Sequence, residues 1–196
     1  MTQAKDVDVA RASAYCGIMH ATIRPAREDD ALRLPAIERS AGEIFRTLPK
    51  LAWIADDDVL TANEHRALIR QGASWVAVDD LDEPLGFLSA ERTVPELHIR
   101  ELAVRHGSQG QGIGRTLLAT AIAWAEANSF EAVTLTTFRR LAWNEAFYAS
   151  MGFATLKPGQ LGPRLAAILE AEAANGFLRK DRCAMRLVLS TGRAIP

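Results

Sequence analysis

Residues 97–118, LHIRELAVRHGSQGQGIGRTLL, limit the possible folds more than any other stretch, because the pattern turns from strand to helix across one glycine-rich turn. Leu97, Ile99, Leu102 and Val104 stand among polar residues as in a β-strand. Ile113, Leu117, Leu118, Ala121 and Ile122 recur at helical spacing. Between the two lie Gln109, Gly110, Gln111, Gly112, Ile113, Gly114 and Arg115, with three glycines at alternate positions. Glycines there strip side chains from the turn and let the backbone come close to a ligand. The start of the helix adds unpaired N–H groups and the positive end of its dipole, which suit a phosphate or diphosphate.

The spacing separates this anion cradle from two familiar ones. A P-loop needs four residues between two glycines followed by Lys and Ser or Thr, which Gly110 to Arg115 do not supply. A dinucleotide fingerprint needs G-x-G-x-x-G, and here the third glycine falls one place early. Gln109-x-x-Gly112-x-Gly114 does fit Q/R-x-x-G-x-G/A. That segment resembles the acyl-CoA-binding motif of the GNAT superfamily of N-acetyltransferases.

The rest of the chain can be read around this stretch. Residues 21–25 suggest a first strand ended by Pro25. A helix follows, with Asp29 or Asp30 as cap, Pro35 near its start, and Leu32, Leu34, Ile37 and Ile44 as a ragged apolar stripe. Residues 61–71 read as a second helix, with Thr61 and Glu64 as a capping box and Gly72 as its stop. A hairpin joins residues 74–78 to 86–90 through an acidic turn. After the 97–104 strand come a helix over 112–128, a β-branched strand over 132–138, a short helix over 144–151 and an extended path over 153–156. A helix over 162–175 and a strand over 183–189 complete the pattern.

The element order predicts an α/β fold with helices on both faces of a sheet. The GNAT resemblance, over residues 21–156 and the last strand, implies a mixed, mostly antiparallel sheet with a central splay. The helix over 162–175 is an addition to the minimal layout, in a region that borders the acceptor pocket in similar proteins. Residues 1–18 read as a loose tail and 19–196 as one domain.

Composition narrows the class. A chain of 196 residues, 48% hydrophobic and 24% charged, can bury one good core. A net charge of −1 argues against a general nucleic-acid-binding surface. No apolar run reaches the roughly 18 residues of a membrane span, and the first residues lack an apolar signal region. Cys16 and Cys183 are too few for a disulfide framework or a cysteine-based metal site, so a cytoplasmic protein without a metal is expected.

The resemblance also implies the chemistry. Acetyl-CoA would be the acyl donor and an amine the acceptor. A lysine-like amine titrates near 10.4 and is protonated at neutral pH, so about one proton must leave before it can attack a thioester. A base, hydrogen-bond donors for the oxyanion and an acid for the thiolate are required. His98, with an ordinary pKa of about 6.5, is the first candidate base. Glu101 is the second: strict alternation sends it to the opposite face from His98, but a bulge, frequent in this strand of GNAT proteins, would re-aim it. Arg100 would lower the His98 pKa if unpaired.

Tyr148, in the Y-x-x-x-G-F run that ends at Phe153, is the candidate acid and a CoA contact. The backbone of residues 109–114, with Arg115, would hold the diphosphate; the strand edge at Leu102, Ala103 and Val104 would pair with the pantetheine arm and supply an oxyanion donor. Asn144 is either a further contact to that arm or a helix cap. Glu43, Phe45, Trp53 and Asp56 to Asp58 fall where similar proteins roof the acceptor site; a solvated acidic loop beside core aromatics is the plainer account. The expected acceptor is a small-molecule amine. A peptide amine and a non-catalytic acyl-CoA sensor are the alternatives. The residues leave oligomeric state open, and the resemblance allows a homodimer.

Overall fold

The computed structural model describes residues 21–141 and 143–190; the tail expected over residues 1–18 lies outside them. In chain order the elements are β1 (Thr22–Pro25), α1 (Leu34–Gly42), α2 (Ala62–Arg70), β2 (Ser74–Val78), β3 (Pro84–Thr93), β4 (Glu96–Val104), α3 (Ile113–Ala127), β5 (Ala132–Phe138), α4 (Glu145–Ala149), β6 (Ala154–Thr155), α5 (Pro163–Ala174) and β7 (Arg182–Val188). All seven strands share one sheet in the order β1-β2-β3-β4-β5-β7-β6, and only the β4–β5 pairing is parallel.

Local chemistry explains most boundaries. Thr61 and Glu64 form the expected box at the start of α2: the Glu64 N–H donates to Thr61 Oγ1 at 3.3 Å, and the Thr61 N–H to Glu64 Oε2 at 2.7 Å. Pro35 is the second residue of α1, where no intrahelical N–H is lost. Asp30 has another role than capping α1. It accepts the Arg27 N–H at 2.6 Å, closing a 3-10 turn over Glu28–Leu32, and pairs with Arg24 at 2.7 Å. Ile44 falls beyond α1, in a second 3-10 turn over Glu43–Thr47. β3 outruns the expected strand at both ends, pairing with β4 as far as Thr93 opposite Glu96.

Two layers of apolar side chains cover the sheet. On one face, Leu117, Leu118 and Ala121 of α3 pack over Leu97 and Ile99 of β4, Val133 and Leu135 of β5 and Met185 of β7. On the other, Leu34 and Ile37 of α1 and Ile69 of α2 pack over Val76, Phe87 and Ala103. Leu165 and Leu169 of α5 cover Ala184 on that same second face.

Two irregularities position the site. First, β4 and β5 pair only through Glu96 with Ala132, Leu97 with Val133 and His98 with Thr134. Beyond His98 they diverge, and the edge of β4 has no strand beside it. Second, Ser89 of β3 stands opposite Glu101 and Ala90 opposite Ile99, so Arg100 is an extra residue, a β-bulge. The bulge reverses the alternation. Leu97 and Ile99 before it, and Leu102 and Val104 after it, all face α3.

Gly86 holds β3 against this part of β4. A Cβ there would lie 2.8 Å from the Ala103 carbonyl oxygen and 3.3 Å from Val104 Cα, both backbone atoms. Gly86→Ala is therefore expected to destabilise by about 1–3 kcal/mol, lowering the thermal midpoint by roughly 2–12 °C. An unchanged melting curve would show that the strands can part without penalty.

Candidate active site

The glycine turn and the splay lie at opposite ends of one short path along β4. Gly110 and Gly112 have φ of 75° and 85°, values that L side chains rarely adopt, and Gly112 is the N-cap of α3. A Cβ at either would meet nothing within 4 Å, so the concave side of the turn is open. The backbone N–H groups of residues 110–115 find no carbonyl partner among the described residues. An anion with several acceptor oxygens, such as a diphosphate, fits these donors.

The side chains around the turn act as braces. Gln109 Nε2 donates to the Val104 carbonyl at 3.0 Å and the Ala41 carbonyl at 3.4 Å; Gln111 Nε2 donates to Gly107 at 3.4 Å. Arg115 turns aside from the glycines, donating to Ser150 Oγ at 2.9 Å and to Met151 sulfur at 2.8 Å.

The bulge brings both candidate bases to one face of the sheet. Because the phase of β4 flips at Arg100, Glu101 and His98 share the face turned away from α3. Their surroundings differ. His98 is 3% exposed at the closed end of the splay, with Nδ1 3.1 Å from Thr134 Oγ1. Burial, then the charges of Arg164 and Arg100, pull its pKa down to about 3. The main cause is thus burial rather than Arg100, which pairs with Glu91 at 3.6 Å.

Glu101 lies further along, where β5 has moved away. Burial, then the neighbouring Glu38 carboxylate, push its carboxyl up to about 8; the Leu102 N–H, donating to Oε1 at 3.2 Å, and the charges of Arg182 and Arg100 act in the other direction. Tyr148 of α4 packs against Phe147 and Phe153 at the edge of the core under α3. Burial and then the Glu101 charge raise its phenol above the ordinary value, with Arg182 opposing, so at neutral pH it is a proton donor. The Glu101 charge is thus felt at Tyr148, whereas His98 sits at the closed end of the splay, bonded to Thr134.

Asn144 does not cap α4 with its side chain. Its Nδ2 donates to Thr137 Oγ1 on β5 at 2.9 Å, and its buried Oδ1 has no hydrogen-bond partner among the described residues.

Near Glu101 and Tyr148 lies an aromatic cluster that residue spacing alone does not reveal. Phe45 packs on Phe138 (5.5 Å), Phe138 on Phe177 (5.7 Å), and Phe177 on Trp53 (5.0 Å). The Arg182 guanidinium lies 4.4 Å over Phe138, with both Nε and Nη2 2.8 Å from the Glu172 carboxylate. The acidic loop is a separate matter. Glu43 and Asp56 both bond the exposed Arg46, at 2.9 and 2.7 Å, and Asp57 accepts from the Asp58 backbone. These acids serve their own loop, as in the plainer account above.

A glycine cradle with free N–H groups, a single strand edge leading from it, and buried titratable side chains beside that edge suit an N-acyltransferase using a CoA thioester. A model of the acetyltransferase (GNAT) family matches residues 38–153, more than half of the chain, and the chain belongs to that family. It is 27% identical over 135 residues to the peptidyl-lysine N-acetyltransferase YjaB of Salmonella typhimurium, covering 69% of this chain and 84% of that protein. The fold is similar to that of the PaiA N-acetyltransferase of Thermoplasma acidophilum in complex with coenzyme A, with a TM-score of 0.65 and 15% identity over 87% of this chain and all of the other. It is similar also to the ribosomal-protein-S18-alanine N-acetyltransferase of Escherichia coli, with a TM-score of 0.61 and 17% identity over 90% and 99% of the two chains. Among the described residues no helix is long and apolar enough to cross a membrane.

Proposed function

We propose that this enzyme transfers an acetyl group from acetyl-CoA to a primary amine on a small molecule, with Glu101 as the base and Tyr148 as the acid. What supports the reading is the bulge, which sets Glu101 on β4 past its last pairing with β5, with its carboxyl pushed up and its charge felt at the Tyr148 phenol. Bound acetyl-CoA supplies the acyl group as a thioester. The N–H groups of residues 110–115 would hold its diphosphate, and the free edge of β4 at Leu102, Ala103 and Val104, with Asn144, would align the pantetheine arm. The ionised carboxylate of Glu101 takes a proton from the incoming ammonium, directly or through a water, and so frees the lone pair. The Leu102 N–H, which now donates to Glu101, stands where an oxyanion needs a donor. The Tyr148 hydroxyl gives its proton to the departing sulfur. His98, neutral and bonded to Thr134, holds the closed end of the splay in place.

Contact between Trp53 and Phe177 supports the small acceptor. It joins the connection between α1 and α2 to the one between α5 and β7, and in this reading it would close one end of the acceptor opening. An enclosed end favours a compact amine over a peptide lying across the surface. The relation to a peptidyl-lysine acetyltransferase favours a second reading, in which the amine belongs to a lysine side chain.

A screen settles between them. With acetyl-CoA and free-thiol detection, small primary amines are expected to be turned over with a kcat/KM at least tenfold above that of lysine peptides. The opposite ranking would replace the first reading with the second. Thiol release with neither acceptor class would leave a sensor of acyl-CoA.

A further inference from the structure

On the side of the sheet that carries α5, one row runs across three strands: His98 of β4, Thr134 of β5 and Arg186 of β7 are successive partners in register. Glu96 stands beside this row at the start of β4, and Arg164 reaches it from the first turn of α5. One carboxylate serves both arginines: Arg164 Nη2 donates to Glu96 Oε2 at 2.7 Å, and Arg186 Nε lies 3.1 Å from Oε1. Arg164 Nη2 also donates to Thr134 Oγ1 at 3.0 Å.

The count of charges and donors does not close. Two guanidiniums against one carboxylate leave a formal charge of +1. Arg164 Nη1 is buried with no hydrogen-bond partner among the described residues, and buried Arg186 Nε, though 3.1 Å from Glu96 Oε1, is not aligned with it; the rest of each guanidinium is open to the cavity side, the side chains being 32% and 37% exposed. Buried charged donors left so are costly, and in a native site they point to a bound water or ion. Next to them is a cavity of about 230 Å3, lined by Glu96, Gln160, Arg164 and Arg186 with the apolar Leu156 and Leu165.

We propose that this cavity is a binding site for a small oxyanion, a phosphate or a short carboxylate, gripped by Arg164 and Arg186. The planar fork of a guanidinium matches two oxygens of such a group, and the missing negative charge would be restored. The volume is below the roughly 300–1,000 Å3 of pockets for drug-sized ligands, which favours a small ion over a nucleotide. The site is also separate from the transfer chemistry. Glu96 and Glu101 stand opposite Thr93 and Ser89 of β3, four strand steps apart or about 13 Å at the usual rise, too far for the carboxylate of an α-amino acid whose amine sits at Glu101.

Isothermal titration of the full chain with inorganic phosphate, and separately with succinate, tests the site. Saturating CoA is present to fill the glycine turn, and ionic strength is held constant with chloride. One of the two anions is expected to give saturable heat, and which one does identifies the source. Arg186→Gln is expected to weaken it at least tenfold while CoA affinity is unchanged. Glu96→Gln, which removes the competing carboxylate, is expected to tighten it severalfold, a gain that an unfolded variant cannot mimic. No saturable heat with either anion would overturn the proposal and leave the cavity to water. Heat that Arg186→Gln does not reduce would overturn it too, as binding elsewhere. Should CoA itself fail to bind, the contrast between wild type and Arg186→Gln still decides the anion site, since Arg186 is remote from the glycine turn.

Discussion

Glu101→Gln is expected to lower kcat for acetyl transfer by about 10²–10⁴-fold, the usual contribution of a positioned base, with CoA affinity preserved. The amide keeps the shape of the side chain but cannot take a proton. The pH profile carries the sharper test. A base works only when deprotonated, and this carboxyl is pushed up to about 8. Wild-type kcat/KM should therefore rise as pH climbs through that value and level off above it, and the variant should lose this limb. His98→Gln is expected to keep the limb. The His98 pKa is pulled down to about 3, so the ring is already neutral across the whole range and has no charge to change. A limb that survives Glu101→Gln and vanishes with His98→Gln would restore the histidine as base.

Gly112→Val should act on the other end of the path. At a φ of 85° a β-branched residue is strained, so the free protein escapes by relaxing the turn. Binding CoA requires the turn to return, and the strain, about 1–3 kcal/mol, then appears as lost affinity. By calorimetry this corresponds to a dissociation constant raised roughly 5- to 150-fold. The open space that a Cβ would enter is the space a phosphate would fill, which adds to the loss. The acetylation rate at saturating acetyl-CoA should recover in large part, because Glu101 and Tyr148 are untouched. Unaltered affinity would show that the diphosphate is held elsewhere.

These two positions also mark what can and cannot be read from the chain alone. The turn was legible because its requirements are local: alternate glycines, a strand before and an apolar stripe after. The capping box of α2 and the helix added before β7 were legible for the same reason. The face that Glu101 takes was not, since it depends on a bulge at Arg100 that leaves no mark in residue type, nor was the end of β4–β5 pairing at His98, which depends on strands far apart in the chain. The aromatic cluster was hidden too. Phe45, Trp53, Phe138 and Phe177 come from four separate segments, and only the folded sheet brings them together. For Asn144 the residues left a cap and a contact to the pantetheine arm both open, and the folded chain shows its side chain reaching Thr137 on β5 instead of capping α4.

The extra residue in β4 has a consequence for how this gene can drift. Position 100 is exposed and its arginine makes only a loose surface pair, so many substitutions there should be silent. Removing the codon altogether is another matter. Shortening the strand by one would turn Glu101 toward the apolar layer under α3 and swing Leu102 and Val104 out of it, unless β3 slipped as well. At this site the geometry is expected to depend on the length of the chain far more than on its spelling, the arginine's charge bearing only on the titration of Glu101 and His98.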